Sequence, residues 1–163
     1  SGAVRAGRPS GPRFGVLMHA LLEHATLDTA TPDEQGRALA NIARFIGRTI
    51  GATEVELERA TSDAQLALAH PLFERIARAH RRGELFREAP VTVCTAEGEL
   101  REGTVDLAFR EPTSAGSQIV LVDFKTDVEM GTVQDVYRRQ VALYVDAIAR
   151  ATGRPARGVL LRV

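Results

Sequence analysis

The chain carries two hydrophobic rhythms: helical spacing through its first half and alternation through much of its second. From Phe14 to about Thr26, the apolar positions Phe14, Leu17, Met18, Leu21, Leu22 and Ala25 recur at helical spacing. That predicts an amphipathic helix with His19 at the edge of its apolar stripe. Thr31-Pro32-Asp33-Glu34 has the form of a capping box with proline at the first helical position. The helix it opens uses Leu39, Ile42, Ala43, Ile46 and Ile50 and stops near Gly51. Thr53 and Glu56 form a second box and start a helix that runs to about Ala69. His70-Pro71 breaks it, because the residue before a proline is pushed out of the α region. A short helix from Pro71 to His80 follows and ends at Arg81-Arg82-Gly83.

After Gly83 the texture changes. Phe86 to Cys94, Leu100 to Phe109 and Gln118 to Lys125 read as strands. Glu97-Gly98 is the turn of a hairpin joining the first two, and a loop from Glu111 to Ser117 precedes the third. A helix from about Thr132 to Thr152 places Tyr137, Val141, Tyr144 and Ile148 on one face, with Gln140 on an adjoining stripe. Gly153-Arg154-Pro155 ends it, and Arg157 to Val163 forms a last strand. Residues 1–13 mix small residues, Pro and Arg without periodicity, as a linker or expression remnant does. Residues 14–163 then form a single domain, a helical region 14–83 capping an αβ core 84–163.

Composition narrows the function classes. A length of 163 residues suits one domain, and 44% apolar with 26% charged residues is ordinary for a globular chain. No apolar run approaches the ~18 residues of a membrane span, and the start shows no signal-peptide pattern, so the expected location is cytoplasmic. The single cysteine, Cys94, excludes an internal disulfide framework, a Cys-rich zinc site and a four-cysteine iron–sulfur cluster. It reads as a small buried apolar residue. A net charge of zero and a pI near 6.9 are less basic than a stand-alone nucleic-acid binder shows. Either the arginines cluster or a partner holds the substrate. Arg75, Arg78, Arg81, Arg82 and Arg87 gather in one region, Arg138 and Arg139 in another. Both sets suit phosphates, and solvated helix faces read the same way. No G-x-x-x-x-G-K-[ST] loop occurs, so this chain has no ATP site of its own.

The candidate chemistry lies in two apolar strands that each carry an acid, Asp106 and Asp123. Lys125 follows the second acid and is the only lysine beside 20 arginines. Alternation puts Asp123 and Lys125 on one face of the strand and Val122 and Phe124 on the other. An acid at either place alone also suits a strand end that caps a turn. Held inside apolar strands, acids demand partners, and hard divalent cations prefer carboxylate oxygens. Phosphodiester hydrolysis needs an activated water and neutralisation of charge on the phosphate, which such an ion supplies. A lysine beside the water can orient or deprotonate it, and its compact ammonium shifts pKa where arginine stays charged. His24 lies five residues from His19, not the four of a zinc-protease helix. His70 and His80 read as surface or helix-end residues, Tyr137 and Val141 as core packing.

Five short pieces complete the pattern: G-V-L-M-H (Gly15 to His19), R-E-A-P (Arg87 to Pro90), G-T-V-D (Gly103 to Asp106), D-F-K-T (Asp123 to Thr126) and Q-V-A-L-Y (Gln140 to Tyr144). In these pieces, in this order, the chain resembles the RecB-like nuclease domain of the PD-(D/E)XK superfamily. That module sits at the C-terminal end of AddA/RecB-type DNA helicase–nucleases. The resemblance covers roughly Phe14 to Val163. It implies an α/β, restriction-endonuclease-like core, a mixed sheet of about four strands flanked by helices, with a helical N-terminal cap. It implies Mg²⁺ or Mn²⁺ held by His19, Asp106, Asp123 and the backbone carbonyl of Phe124, with Lys125, Asp123 and Asp106 catalytic. Glu88 would support the metal or its waters, and Gln140 and Tyr144 would contact DNA or orient the catalytic groups. The implied activity is a metal-dependent deoxyribonuclease, exonuclease or endonuclease, serving DNA repair and recombination at double-strand breaks. Its partner is DNA, as single strands delivered by a helicase motor in the same polypeptide or complex, in the bacterial cytoplasm and away from membranes. Some relatives carry a four-cysteine iron–sulfur cluster; this chain lacks those cysteines. A free-standing exonuclease and an inactive DNA-path or subunit-interface module of the same fold are the competing readings. The unbroken metal and lysine matches favour an active member.

Overall fold

The computed structural model describes residues 9, 11–28, 31–94 and 98–163, with the backbone alone for 127–134. The first half folds into α1 (Pro12–His24), α2 (Pro32–Ile50), α3 (Glu54–Leu68) and α4 (Pro71–Arg81). Both capping boxes form: the Thr31 and Thr53 side chains accept from the N–H of Glu34 and Glu56, whose carboxylates reach back to the cap N–H. Gly51 ends α2 in the left-handed conformation at φ 68°. His70 caps α4, its Nδ1 accepting from Leu72 N–H at 3.2 Å. Helix α1 begins earlier than Phe14, at Pro12, since proline presets the first turn. Arg13 Nη2 then reaches Glu56 Oε1 at 2.9 Å and ties α1 to α3. The Thr53 cap bond and Arg13 hold the buried Glu56 carboxyl below the usual carboxylate range. Residues 1–8 and 10 of the expected linker lie outside the described residues.

The second half supplies β1 (Leu85–Cys94), β2 (Leu100–Thr113), β3 (Gly116–Lys125), α5 (Asp127–Thr152) and β4 (Ala156–Arg162). They form one mixed sheet in the order β1-β2-β3-β4, antiparallel except for the parallel β3–β4 pair that α5 connects. The expected loop from Glu111 to Ser117 is instead hairpin: Thr113 pairs with Gly116, leaving a tight turn at Ser114-Ala115. Its polar composition misleads because β1 stops pairing at Leu85↔Phe109. After the Arg110 N–H, which donates to the Glu84 carbonyl at 3.0 Å, β2 has no paired outer strand, so exposed polar side chains and Pro112 are tolerated there. Helix α5 starts at Asp127, earlier than Thr132. Glu97 of the expected β1–β2 turn lies outside the described residues; Gly98 has φ 82°.

Helices α1 and α4 cover one face of the sheet, with α2 and α3 packed on α1, and Leu17, Met18, Leu21 and Leu22 of α1 meet Leu107, Phe109, Val120, Val122 and Phe124 there. The other face carries α5, with Tyr144 packed among Val91, Val93, Val105, Ala108 and Leu121. Cys94 is exposed rather than buried. It ends β1 on the alternation opposite to buried Val91 and Val93. No described helix is long and apolar enough to cross a membrane.

Candidate active site at a fork between two strands

The β2–β3 ladder runs from the turn to Leu107↔Val122 and stops there, while β3 stays paired with β4 as far as Lys125↔Arg162. At the next position the Asp106 side chain replaces the missing ladder, its Oδ2 accepting from Phe124 N–H at 2.5 Å. The strands therefore fork, and Asp106 plugs the opening. Its Oδ1 lies 3.0 Å from His19 Nδ1. A carboxylate oxygen accepts, so Nδ1 is the donor of this pair. The His19 ring meets Phe124 edge-on at 6.1 Å, and Phe124 stacks on Phe73 of α4. With Phe124 in the core, Asp123 and Lys125 turn to the opposite face, as alternation requires. Lys125 Nζ lies 2.8 Å from Asp123 Oδ2, and the two side chains are only 12% and 18% exposed.

Glu88, from the R-E-A-P piece, is the described non-glycine residue with positive φ, at 47°. The register places it opposite Asp106, between Arg87↔Leu107 and Ala89↔Val105. Strict alternation would put Leu85, Ala89, Val91 and Val93 on one face. Instead Leu85 packs with the helical layer, and Ala89, Val91 and Val93 join the α5 side. On β2, Leu107 and Phe109 face the helical layer while Val105 joins the α5 side. The hairpin turns over at the Glu88–Asp106 position. A non-glycine residue held there costs about 1–3 kcal/mol and persists only where its surroundings enforce it. The Glu88 carboxyl is pushed up by desolvation first, then by the charges of Asp106 and Glu23.

Arg87 helps enforce that turn. Its guanidinium donates to the carbonyls of Leu22 (3.3 Å), Glu23 and Ala25 (3.0 Å), at the carboxyl end of α1. It satisfies orphan carbonyls and complements the helix dipole. The phosphate-gripping role open to its cluster is therefore not available to Arg87, and neighbours are also engaged. Arg75 forks onto Glu111 at 2.9 and 2.7 Å, and Arg82 holds Glu84 at 2.6 Å. Arg87→Leu should lower stability by about 1–3 kcal/mol by stranding those carbonyls. Thermal unfolding followed by circular dichroism checks this, and an unchanged Tm would show that α1 ends without Arg87.

From the other face, Gln140 Nε2 donates to Tyr144 Oη at 2.8 Å. Tyr144 is buried against β2 at Gly103, where an added Cβ would sit 1.9 Å from Oη. The glycine of G-T-V-D is thus the space Tyr144 occupies. Val141 and Tyr137 are both half-buried and join neither hydrophobic cluster. Val141 lies over Gly158 of β4, while the Tyr137 ring centroid lies 4.7 Å from Lys125 Nζ. The legible signal is its place one turn before Gln140 on the same helix. His24 is exposed beside Glu23, near enough to Glu88 for its charge to act on that carboxyl, and His80 pairs with Asp28 at 3.1 Å.

Burial pushes the Asp123 carboxyl up; the bond and charge of Lys125 oppose this, and the charge of Asp106 adds to it. Two crowded carboxylates beside an imidazole are the oxygen and nitrogen donors that hard and borderline divalent cations take. The donor chemistry fits such an ion. Among the described residues, no three His, Cys, Asp or Glu side chains stand as a ready metal-holding group. Asp106 is engaged by His19 and Phe124 N–H, and Asp123 by Lys125.

Comparison with known proteins agrees with this geometry. An ATP-dependent helicase/nuclease subunit of Alkaliphilus oremlandii is 25% identical over 164 residues, an overlap of 90% of this chain but 13% of that protein. The chain therefore spans a small fraction of the relative's length. The profile of the PD-(D/E)XK nuclease superfamily matches residues 3–163. Members of that superfamily are nucleases that generally use divalent metals, and the mixed sheet flanked by helices is consistent with their restriction-endonuclease-like fold. On this match, and with Asp106, Asp123 and Lys125 standing at the fork, the chain belongs to the PD-(D/E)XK nuclease superfamily.

Proposed function

We propose that this chain is the divalent-metal-dependent DNA-cutting domain of a bacterial helicase–nuclease of the cytoplasm. It would hydrolyse phosphodiester bonds in single strands delivered by a motor in the same polypeptide or complex, during end processing and double-strand-break repair. The observation that carries the reading is the part-buried Asp123–Lys125 pair, 2.8 Å apart, on the β3 arm of a fork whose β2 arm presents Asp106. Residues 14–163 act as one domain in this reading.

His19, Asp106, Asp123 and the carbonyl of Phe124 would hold Mg²⁺ or Mn²⁺. When bound, that ion lowers the pKa of a water and neutralises charge on the scissile phosphate. The chain's own residues do the rest. Lys125 orients the attacking water through its N–H donors and offsets charge gathering on the phosphate oxygens. Asp123 anchors the ammonium, and His19 braces Asp106 from α1. Glu88, its carboxyl pushed up by desolvation and by the charge of Asp106, would support the metal or its waters. Gln140 and Tyr144 bear on the DNA path or on the β2 arm. Exposed Arg138 and Arg139 on the same helix offer phosphate contacts. The zero net charge supports reliance on a motor for grip, since electrostatic affinity scales with the phosphates neutralised.

Labelled single- and double-stranded DNA incubated with the purified protein and Mg²⁺, Mn²⁺ or chelator tests this. Cleavage should require the metal and favour single strands, with weak, salt-sensitive DNA binding. Cleavage undiminished by chelator would overturn the metal assignment. Nanomolar binding at physiological salt would overturn the reliance on a motor.

A further inference from the structure

We propose that the outward face of α2 is a docking track for single-stranded DNA: Arg37, Arg44 and Arg48 hold its phosphate backbone, and Phe45 stacks on one of its bases. That the polyanion is DNA rests on the nuclease reading; that this face binds a polyanion does not. Helix α2 turns Leu39, Ala43 and Gly47 inward. Arg37, Asn41, Arg44 and Arg48 recur at intervals of three and four on its opposite side, all exposed, with Phe45 beside them at 72% exposure. A single exposed apolar residue is ordinary on its own. Set in a row of arginines, it forms the combination that single strands take, a cationic path for phosphates beside a π face for bases.

The charge on this face is not neutralised. Arg59, Arg75, Arg82, Arg110 and Arg150 each pair with a carboxylate. Among the described residues, no carboxylate stands within ion-pair distance of Arg37, Arg44 or Arg48. Arg44 is steadied instead by Asn41 Oδ1 at 3.1 Å, a neutral partner that orients the guanidinium without cancelling its charge. The zero net charge of the chain thus conceals a positive strip. Arg37, Asn41 and Arg44 also line an open groove of about 510 Å³ against Gln65 of α3. Asp33 at the start of the helix disfavours phosphate there, which directs the strand from Arg37 toward Arg48. That path is about 16 Å of helix, the length of about five phosphates in a stacked strand.

Fluorescence anisotropy with a labelled oligothymidylate in chelator measures binding without cleavage. Arg37→Gln, Arg44→Gln and Arg48→Gln combined should weaken binding about ten-fold or more at about 50 mM salt, and should flatten the slope of log K against log salt by about two. Lysine at the same three positions keeps the charges and should keep the slope. Phe45→Ala should weaken single-strand binding about ten-fold with its salt slope unchanged, and leave binding of a duplex, whose bases are already stacked, within about two-fold. Phe45→Tyr should match the wild type. Circular dichroism confirms folding. The proposal is overturned if the glutamine variant keeps the wild-type slope, if Phe45→Ala treats single strand and duplex alike, or if polyglutamate binds as tightly as the oligonucleotide. If these differences hold but the wild type cleaves nothing with any metal, the nuclease reading fails and the track stands. If the wild type cleaves and the differences are absent, the track alone fails.

Discussion

Lys125→Ala should lower DNA cleavage by about 10²–10⁴-fold, the usual worth of a positioned acid–base group, while the protein stays folded. The loss should fall on kcat, since the ammonium acts on the attacking water and on developing charge rather than on distant substrate. Lys125→Arg should recover little, because a guanidinium is planar, stays charged and does not fit the space between Asp123 Oδ2 and the Tyr137 ring. The fold survives for an electrostatic reason. Removing the ammonium leaves Asp123 buried without that partner, and burial already pushes its carboxyl up. Without Lys125 the folded-state pKa rises further, so Asp123 takes up a proton instead of standing as a bare charge. An acid whose folded pKa exceeds its unfolded one costs stability only as pH rises out of the ordinary aspartate range. The variant should therefore be near wild-type stability in mild acid and lose ground as pH climbs through the raised Asp123 pKa. Denaturant unfolding at about pH 5 and about pH 8 measures that slope. Wild-type cleavage by Lys125→Ala would remove Lys125 from the chemistry altogether.

Much of this site is readable because alternation along a strand is a strong constraint. Apolar neighbours around Asp106 and Asp123 force strands, and same-face spacing forces Asp123 and Lys125 together. Both capping boxes are equally plain, since side chain and backbone satisfy each other within a few residues. What alternation cannot report is where two strands stop being a flat ladder. The turnover at Glu88 carries no local sign, because a glutamate at φ 47° is chosen by its surroundings and not by its own preference. Its causes lie far off in sequence, in Arg87 gripping the end of α1 and in Asp106 opposite. The arginine cluster misleads for a related reason. Composition counts charges, whereas Arg75, Arg82 and Arg87 are each engaged by a carboxylate or carbonyl that only the fold supplies. Tyr137 reads as core because its helical spacing matches that of Val141 and Tyr144; only the position of Lys125 distinguishes it.

These parts explain why the fork stays open. Ladder hydrogen bonding would close β2 onto β3 beyond Leu107↔Val122, bringing the arms together and removing the space for substrate. Asp106 prevents this by taking the Phe124 N–H with its side chain, and the same carboxylate then has its other oxygen aimed at His19. A structural bond and a chemical role share one residue. Asp106→Asn should therefore lose activity with less damage to the fork than Asp106→Ala, because an amide oxygen can still accept from Phe124.

Gly103→Ala should be nearly as harmful to activity as a change at the fork, although it adds only a methyl group at a position without polar chemistry. The new Cβ would lie 1.9 Å from Tyr144 Oη and 2.6 Å from Cζ, so the ring must move. Tyr144 is buried, and moving it breaks the Gln140 bond and shifts α5 against β2. Overpacking of this kind costs about 1–3 kcal/mol, roughly 2–4 °C in Tm per kcal/mol for a chain of this size. Stability alone does not identify the cause, so Gly158→Ala is the comparison. There an added Cβ would lie 2.2 Å from Val141 Cγ1, straining the same helix against β4 through Val141 and not through the Tyr144 ring. Both variants should melt early. Measured below either transition, Gly158→Ala should cleave DNA at the wild-type rate per folded molecule, and Gly103→Ala should fall by ten-fold or more if Tyr144 sets the β2 arm that carries Asp106. Equal specific activities would mean that Tyr144 holds the sheet but does not set the arm that carries Asp106.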